Sequence, residues 1–88
     1  MSDAFEAAAA GAKQLGSTSI SQKMQMYGLY KQATAGACTI PEPSGGMTLM
    51  KWKAWSAHGE MAKEEAMAQY AALIESLQAA ERAKAAAP

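Results

Sequence analysis

Residues 27–34, Tyr27-Gly28-Leu29-Tyr30-Lys31-Gln32-Ala33-Thr34, decide how this chain is read. As a helix the run carries two faces. Side chains three and four positions apart are neighbours on a helix, so Tyr27, Tyr30 and Lys31 converge within one turn. Met26, Leu29 and Ala33 follow the same spacing on a second, apolar face and are the ordinary candidates for a core. With the core supplied there, Tyr27 and Lys31 have no obvious packing job. Two phenols and an ammonium together offer hydroxyl donors, a fixed charge and flat apolar rings, which suits a ligand with both a phosphate and an aromatic base. The plainer reading keeps the same side chains at the rim of a small core with their polar tips in water.

Working outward, every neighbouring segment also reads as helix. Asp3 with Glu6 resembles a capped start, Phe5, Ala8, Ala9, Ala12 and Leu15 form an apolar stripe, and Gly16 is a suitable stop, predicting a first helix over 3–15. Ser19 and Gln22 have capping-box spacing, and Gly36 is placed to end a second helix over 20–35. Pro41, Pro43, Ser44, Gly45 and Gly46 mark the following connection as loop, long enough to be functional. Thr48 is the expected cap of a third helix over 49–58, closed by His58 and Gly59, which brings Lys51 and Trp55 to one face. Glu64 and Glu65 suit the first turn of a fourth helix over 63–83, whose alanine-rich tail from Ala79 to Pro88 is expected to fray. No segment has a β period, so the fold class is all-α.

With 88 residues, half of them hydrophobic, the chain is read as a single domain, 1–88, with a modest core. Eight basic residues balance eight acidic ones, so long-range attraction to nucleic acid or to an anionic membrane is not expected and any anion has to be held locally. The single cysteine, Cys38, excludes an internal disulfide. The acidic residues Asp3 and Glu6 near the N-terminus, with no basic run and no membrane-length apolar stretch, make the cytoplasm the expected location. No histidine or cysteine cluster has metal-ligand spacing, and no serine-nucleophile motif or glycine-rich phosphate loop occurs.

The order of Phe5, Ala8-Ala9, Lys13 and Leu15, then Tyr27 through Thr34, then Lys51-Trp52-Lys53-Ala54-Trp55, then Lys63-Glu64-Glu65-Ala66-Met67 and Tyr70 resembles the acyl-CoA-binding protein family over roughly residues 4–78. The resemblance implies a four-helix up-down-down-up bundle with a long overhand connection between helices two and three. It implies a monomeric carrier and pool former that binds one long-chain acyl-CoA ester noncovalently, without cofactor or catalysis, and that transiently meets a membrane or an acyl-CoA-using enzyme. Carried over to this chain, Lys31 and Lys51 are the cations for the ribose 3′-phosphate, helped by the Tyr27 hydroxyl. Tyr30 lies against adenine, Tyr70 reaches the ribose-phosphate region, and Lys13 sits near the remaining polar head-group atoms. Phe5, Ala9 and Met24 match positions along the acyl path. In such a ligand the nucleotide end provides orientation, while each methylene removed from water contributes about 0.8 kcal/mol.

The chain departs from the family in the connection Pro41-Glu42-Pro43-Ser44-Gly45-Gly46-Met47-Thr48-Leu49-Met50, which is about two residues shorter and poorer in lysine. A lysine that commonly contacts the pyrophosphate side falls near Met47, so a weaker phosphate grip is expected. Trp52 and Trp55 are expected to seat helix three on the bundle, and His58 to favour a helix C-terminus. Two other readings differ in kind. One is a helical interaction module presenting the Tyr27 face to a partner helix; the other is a small acyltransferase or thioesterase using Cys38 and His58.

Overall fold

The Ser19–Gln22 spacing forms the box it predicts: Ser19 Oγ accepts from the Gln22 backbone N–H at 3.1 Å, and Gln22 Oε1 accepts from the Ser19 N–H at 2.8 Å. Two otherwise orphaned donors are thereby satisfied, and α2 begins at Ile20. It ends at Ala35, where Gly36 adopts a φ of 87° and donates its N–H to the Gln32 carbonyl. The structure, a computed structural model, describes residues 3–16 and 18–86, and these hold α1 (Asp3–Ala12), α2 (Ile20–Ala35), α3 (Gly46–Ser56) and α4 (Lys63–Ala86) with no strand.

The expected bounds of three helices move. The first helix stops at Ala12, not Leu15, because Gln14 and Leu15 donate three residues back, to Gly11 and Ala12, and close the helix early. Gly16 is therefore not its stop; its N–H donates to both carboxylate oxygens of Glu81 at 3.2 and 3.1 Å. Thr48 does not cap α3, which starts at Gly46 after an N-cap Gly45 and ends at Ser56. The φ of 71° at Gly46 makes this turn into the helix a glycine conformation. The fourth helix continues through the expected fraying region to Ala86, favoured by alanine's helix propensity and by the tie from Glu81 to Gly16. The position preceding Asp3, where a cap for α1 belongs, lies outside the described residues.

Contacts between the helices set their directions. Tyr27 meets Lys51 and Lys31 meets Trp55, so α2 and α3 advance together. Phe5 meets Tyr70 and Gly11 lies against Gln78, so α1 and α4 also advance together. Tyr30 meets Tyr70 while Gly36, farther along α2, lies near Lys63 at the start of α4, so those two helices oppose each other. This is the up-down-down-up bundle, and the connection 36–45 must travel the length of α3 to make two successive helices parallel.

Phe5, Ala8, Leu29, Ala33, Ala66, Tyr70 and Ile74 form the core. The third helix contributes none of these and is seated by its tryptophans: Trp55 Nε1 donates to the Gly36 carbonyl at 2.8 Å and Trp52 Nε1 to the Ile40 carbonyl at 2.7 Å. Burying an indole while its N–H finds a carbonyl combines a large apolar area with a satisfied donor. Gln32, fully buried and not singled out in the sequence, donates from Nε2 to the carbonyls of Gly59 and Met61 and so staples the α3–α4 turn to α2.

At Gly28 the backbones of α2 and α3 approach closely. A Cβ there would collide with the Ala54 carbonyl oxygen, a backbone atom that cannot swing away. Gly28→Ala is therefore expected to wedge the helices apart and lower stability by about 1–3 kcal/mol despite alanine's better helix propensity, as measured by urea unfolding. Unchanged or increased stability would mean that the seam is looser than this contact.

Candidate functional site

Three aromatic rings from three helices form the floor of the site. Phe5 of α1 stacks on Tyr30 of α2 at 5.7 Å with an interplanar angle of 25°, and Tyr70 of α4 meets Phe5 at 5.2 Å and Tyr30 at 5.8 Å, tilted. Such offset and edge arrangements are the favoured geometries of aromatic pairs. Phe5 and Tyr70 are buried, whereas Tyr30 remains 41 % exposed, so one face of its ring stays open to a ligand.

A groove of about 600 Å³ opens beside the cluster, with Ala9, Lys13, Lys23, Met26 and Tyr27 on its walls and the three rings below. Lys13, Tyr27, Tyr30 and Tyr70 are thus brought together, as are Phe5 and Ala9. Lys23 was missed in the sequence reading, although its spacing to Tyr27 and Tyr30, four and seven residues, places it on their face. Met24 points elsewhere: it lines a larger groove of about 1040 Å³ with Ile20, Leu29, Met50, Ala54 and Leu73. One residue along a helix turns a side chain by about 100°, which separates Met24 from Lys23.

Lys31 and Lys51 stand on the seam between α2 and α3. The Lys51 Nζ lies 5.5 Å from the centre of the Tyr27 ring, and the Lys31 Nζ lies 5.1 Å from that of Trp55. Each ammonium rests on an aromatic face, and among the described residues neither has a carboxylate within ion-pair distance. Cations held this way remain available to an anion, because a cation–π contact at an exposed site is worth only about 0.5–1 kcal/mol. A phosphate also makes shorter and stronger charge-assisted bonds.

Burial pushes the Tyr70 phenol above its ordinary range, with the neighbouring Tyr30 adding to the shift. A raised folded-state value means that the protonated phenol stabilises the fold below the unfolded value of about 10 and that this stability is lost as pH rises through the folded value. Thermal stability is therefore expected to fall above about pH 10, less steeply in Tyr70→Phe than in the parent. Identical alkaline slopes would remove Tyr70 as the cause.

Cys38 sits half-buried in the connection with its Sγ 4.0 Å from the Ile40 carbonyl oxygen, while His58 borders the larger groove. No hydrogen bond joins them, and no group of three His, Cys, Asp or Glu among the described residues is arranged for a metal.

A parallel-paired helical bundle with a cationic, aromatic-floored groove defines a ligand-binding module. The model of the family described as "Acyl CoA binding protein" matches residues 2–74, and the chain belongs to that family. It is 45 % identical over 85 residues to acyl-CoA-binding domain-containing protein 1 of Arabidopsis thaliana, covering 88 % of this chain and 25 % of that protein. It is 43 % identical over 76 residues to diazepam-binding inhibitor-like 5 of Rattus norvegicus, covering 83 % of this chain and 87 % of that one. The crystal structure of acyl-CoA-binding protein 2 of Oryza sativa superposes with a TM-score of 0.82 at 40 % identity, covering 98 % of this chain and 97 % of that one. The chain thus spans about a quarter of the Arabidopsis relative, and it matches 16 % of the rat enoyl-CoA delta isomerase 2, to which it is 43 % identical over 63 residues.

Proposed function

We propose that this protein binds one long-chain acyl-CoA ester noncovalently and serves as a monomeric, cytoplasmic carrier and pool former for such esters. The observation that carries this reading is the pair of carboxylate-free ammonium groups, Lys31 and Lys51, flanking Tyr27 beside an aromatic-floored groove. Family membership supports the ligand class.

In this reading Lys31, Lys51 and the Tyr27 hydroxyl hold the ribose 3′-phosphate. Adenine covers the exposed face of Tyr30, whose other side is already braced by Phe5. Tyr70 and Lys13 face the ribose-phosphate and remaining head-group atoms, with Lys23 able to add a further charge from the same groove. Phe5 and Ala9 underlie the head-group side, and the acyl chain leaves it across the N-terminal half of α2 toward Met24 and Met50. These thioether side chains are flexible enough to fit alkyl chains of different shape. In this reading the role is binding without turnover.

Calorimetric titration of delipidated protein with palmitoyl-CoA, below its micelle concentration, tests the reading. One-to-one binding of the intact ester is expected, with much weaker binding of free CoA and of palmitate, since each lacks either the apolar burial or the phosphate contacts. Equal affinity for free CoA would exclude the acyl groove, and hydrolysis of the ester during titration would exclude a pure carrier.

A further inference from the structure

Lys23 enters the aromatic-floored groove beside the residues that the spacing of α2 singles out. It precedes Tyr27 by four residues and Tyr30 by seven, so it leaves the helix on their face, about 6 Å along the axis from Tyr27. Because α1 and α4 advance together and α2 opposes α4, the start of α2 lies beside the end of α1. Lys23 is thereby brought alongside Lys13, one residue past that end. The groove has two unlike ends as a result. Lys13 and Lys23, both exposed, stand at one end, and Phe5, stacked on Tyr30, stands at the other with Glu6. Glu6 is the carboxylate on the groove wall, about two turns of α1 away from Lys13, and α2 contains no acidic residue. Among the described residues neither Lys13 nor Lys23 has a carboxylate within ion-pair distance. Tyr27 stands between these two ammonium groups on the α1 side and Lys51 on the α3 side, whose Nζ lies 5.5 Å from the centre of its ring.

The head group of CoA carries its phosphate charge in two places on one ribose, a 3′-phosphate and, through C5′, a pyrophosphate. Two separated pairs of ammonium groups therefore face two separated anions. We propose that Lys23, together with Lys13, binds the 5′-pyrophosphate from the α1 side of the groove, while Lys31 and Lys51 hold the 3′-phosphate from the α3 side. Lys23 then supplies a charge that the connection lacks, because Met47, placed where the family resemblance expects a lysine on the pyrophosphate side, ends in an exposed thioether. The grip on the pyrophosphate is moved from one wall of the site to the opposite one, and the weakening expected from the lysine-poor connection is offset. A lysine suits this duty, since its ammonium carries three donors on a flexible stem and charge-assisted bonds to phosphate are short and strong. The alkyl chain is a poor occupant for the same end, because each ammonium has to keep its hydration or find an anion. The assignment rests on the acyl-CoA reading and deepens it by naming the residue that reads the pyrophosphate.

Calorimetric titration of the full chain with palmitoyl-CoA and with its 3′-dephospho analogue, which keeps the pyrophosphate, tests the assignment. Lys23→Met removes the charge while keeping an unbranched stem and a similar helix propensity. It is expected to weaken both esters about ten-fold and by the same factor. Lys51→Ala, in contrast, is expected to weaken palmitoyl-CoA while changing the affinity for the dephospho ester less than about two-fold. Lys23→Arg, which restores a cation, is expected to bind both esters within about three-fold of the parent. Unchanged affinity for both esters in Lys23→Met with helicity intact would overturn the proposal. A loss confined to palmitoyl-CoA would overturn it too, by moving Lys23 to the 3′-phosphate, and so would an equal loss in Lys23→Arg, by making the position steric. Failure of the parent to bind palmitoyl-CoA would instead overturn the carrier reading, so the two failures are told apart in the same experiment.

Discussion

Lys51→Ala is expected to weaken palmitoyl-CoA binding by about 10- to 100-fold while leaving the unfolding transition nearly unchanged. The range corresponds to the loss of one hydrogen bond to a charged group, about 1.5–3 kcal/mol. Fold and function separate cleanly here because Lys51 is exposed, contributes nothing to the core, and rests its ammonium on the face of Tyr27. Lys31→Ala is expected to lie in the same range, with a slightly larger effect on stability because the Lys31 ammonium rests on Trp55, the buried indole that seats α3. Calorimetry for affinity and urea unfolding for stability decide the matter. Unaltered affinity in both variants would remove the phosphate from the α2–α3 seam, and unfolding of either would show that the lysines are structural.

Phe5→Ala should be the most damaging single truncation, costing about 3–5 kcal/mol of stability as measured by urea unfolding. Its ring is 1 % exposed and meets both Tyr30 and Tyr70, so its removal leaves a cavity bounded by three helices that cannot all close on it. Alanine's higher helix propensity offsets only about 0.5 kcal/mol of that loss. Ligand affinity is expected to fall in the molecules that remain folded, because Tyr30 loses the brace that presents its open face. A stability change below about 1 kcal/mol would mean that the cavity collapses without penalty and that the aromatic cluster does not support the groove.

Lys31 and Lys51 show how far a linear reading reaches. The spacing within α2 placed Tyr27, Tyr30 and Lys31 on adjacent positions, and the likeness of the Tyr-x-x-Tyr-Lys-Gln-Ala-Thr and Lys-Trp-x-Ala-Trp blocks to one family paired Lys31 with Lys51 across helices. The structure brings both cations to one seam. Met24 shows the limit: its residue type suits an alkyl chain, yet it opens onto a different groove from Phe5 and Ala9, while its neighbour Lys23 faces the aromatic rings. Gln32 is a similar case, since nothing in a polar side chain on a helix announces full burial. Its environment is made by the carbonyls of Gly59 and Met61, which are remote in sequence.

Helix ends divide the same way. The Ser19–Gln22 box and the Gly36 stop were legible because the groups that satisfy each other lie within one turn. The persistence of α4 to Ala86 was not, because Glu81 accepts from the Gly16 N–H across the bundle.

The all-α class, the faces of each helix and the residue types of the proposed phosphate-and-ring site were determined by the sequence itself, since helical periodicity and capping act over three or four residues. Which neighbour each face meets was decided only in the tertiary structure. It depends on how each helix rotates about its own axis to bury Phe5, Tyr70 and Ile74 together, and on how closely Gly28 lets α3 approach. That packing splits the ligand-facing surface into two grooves.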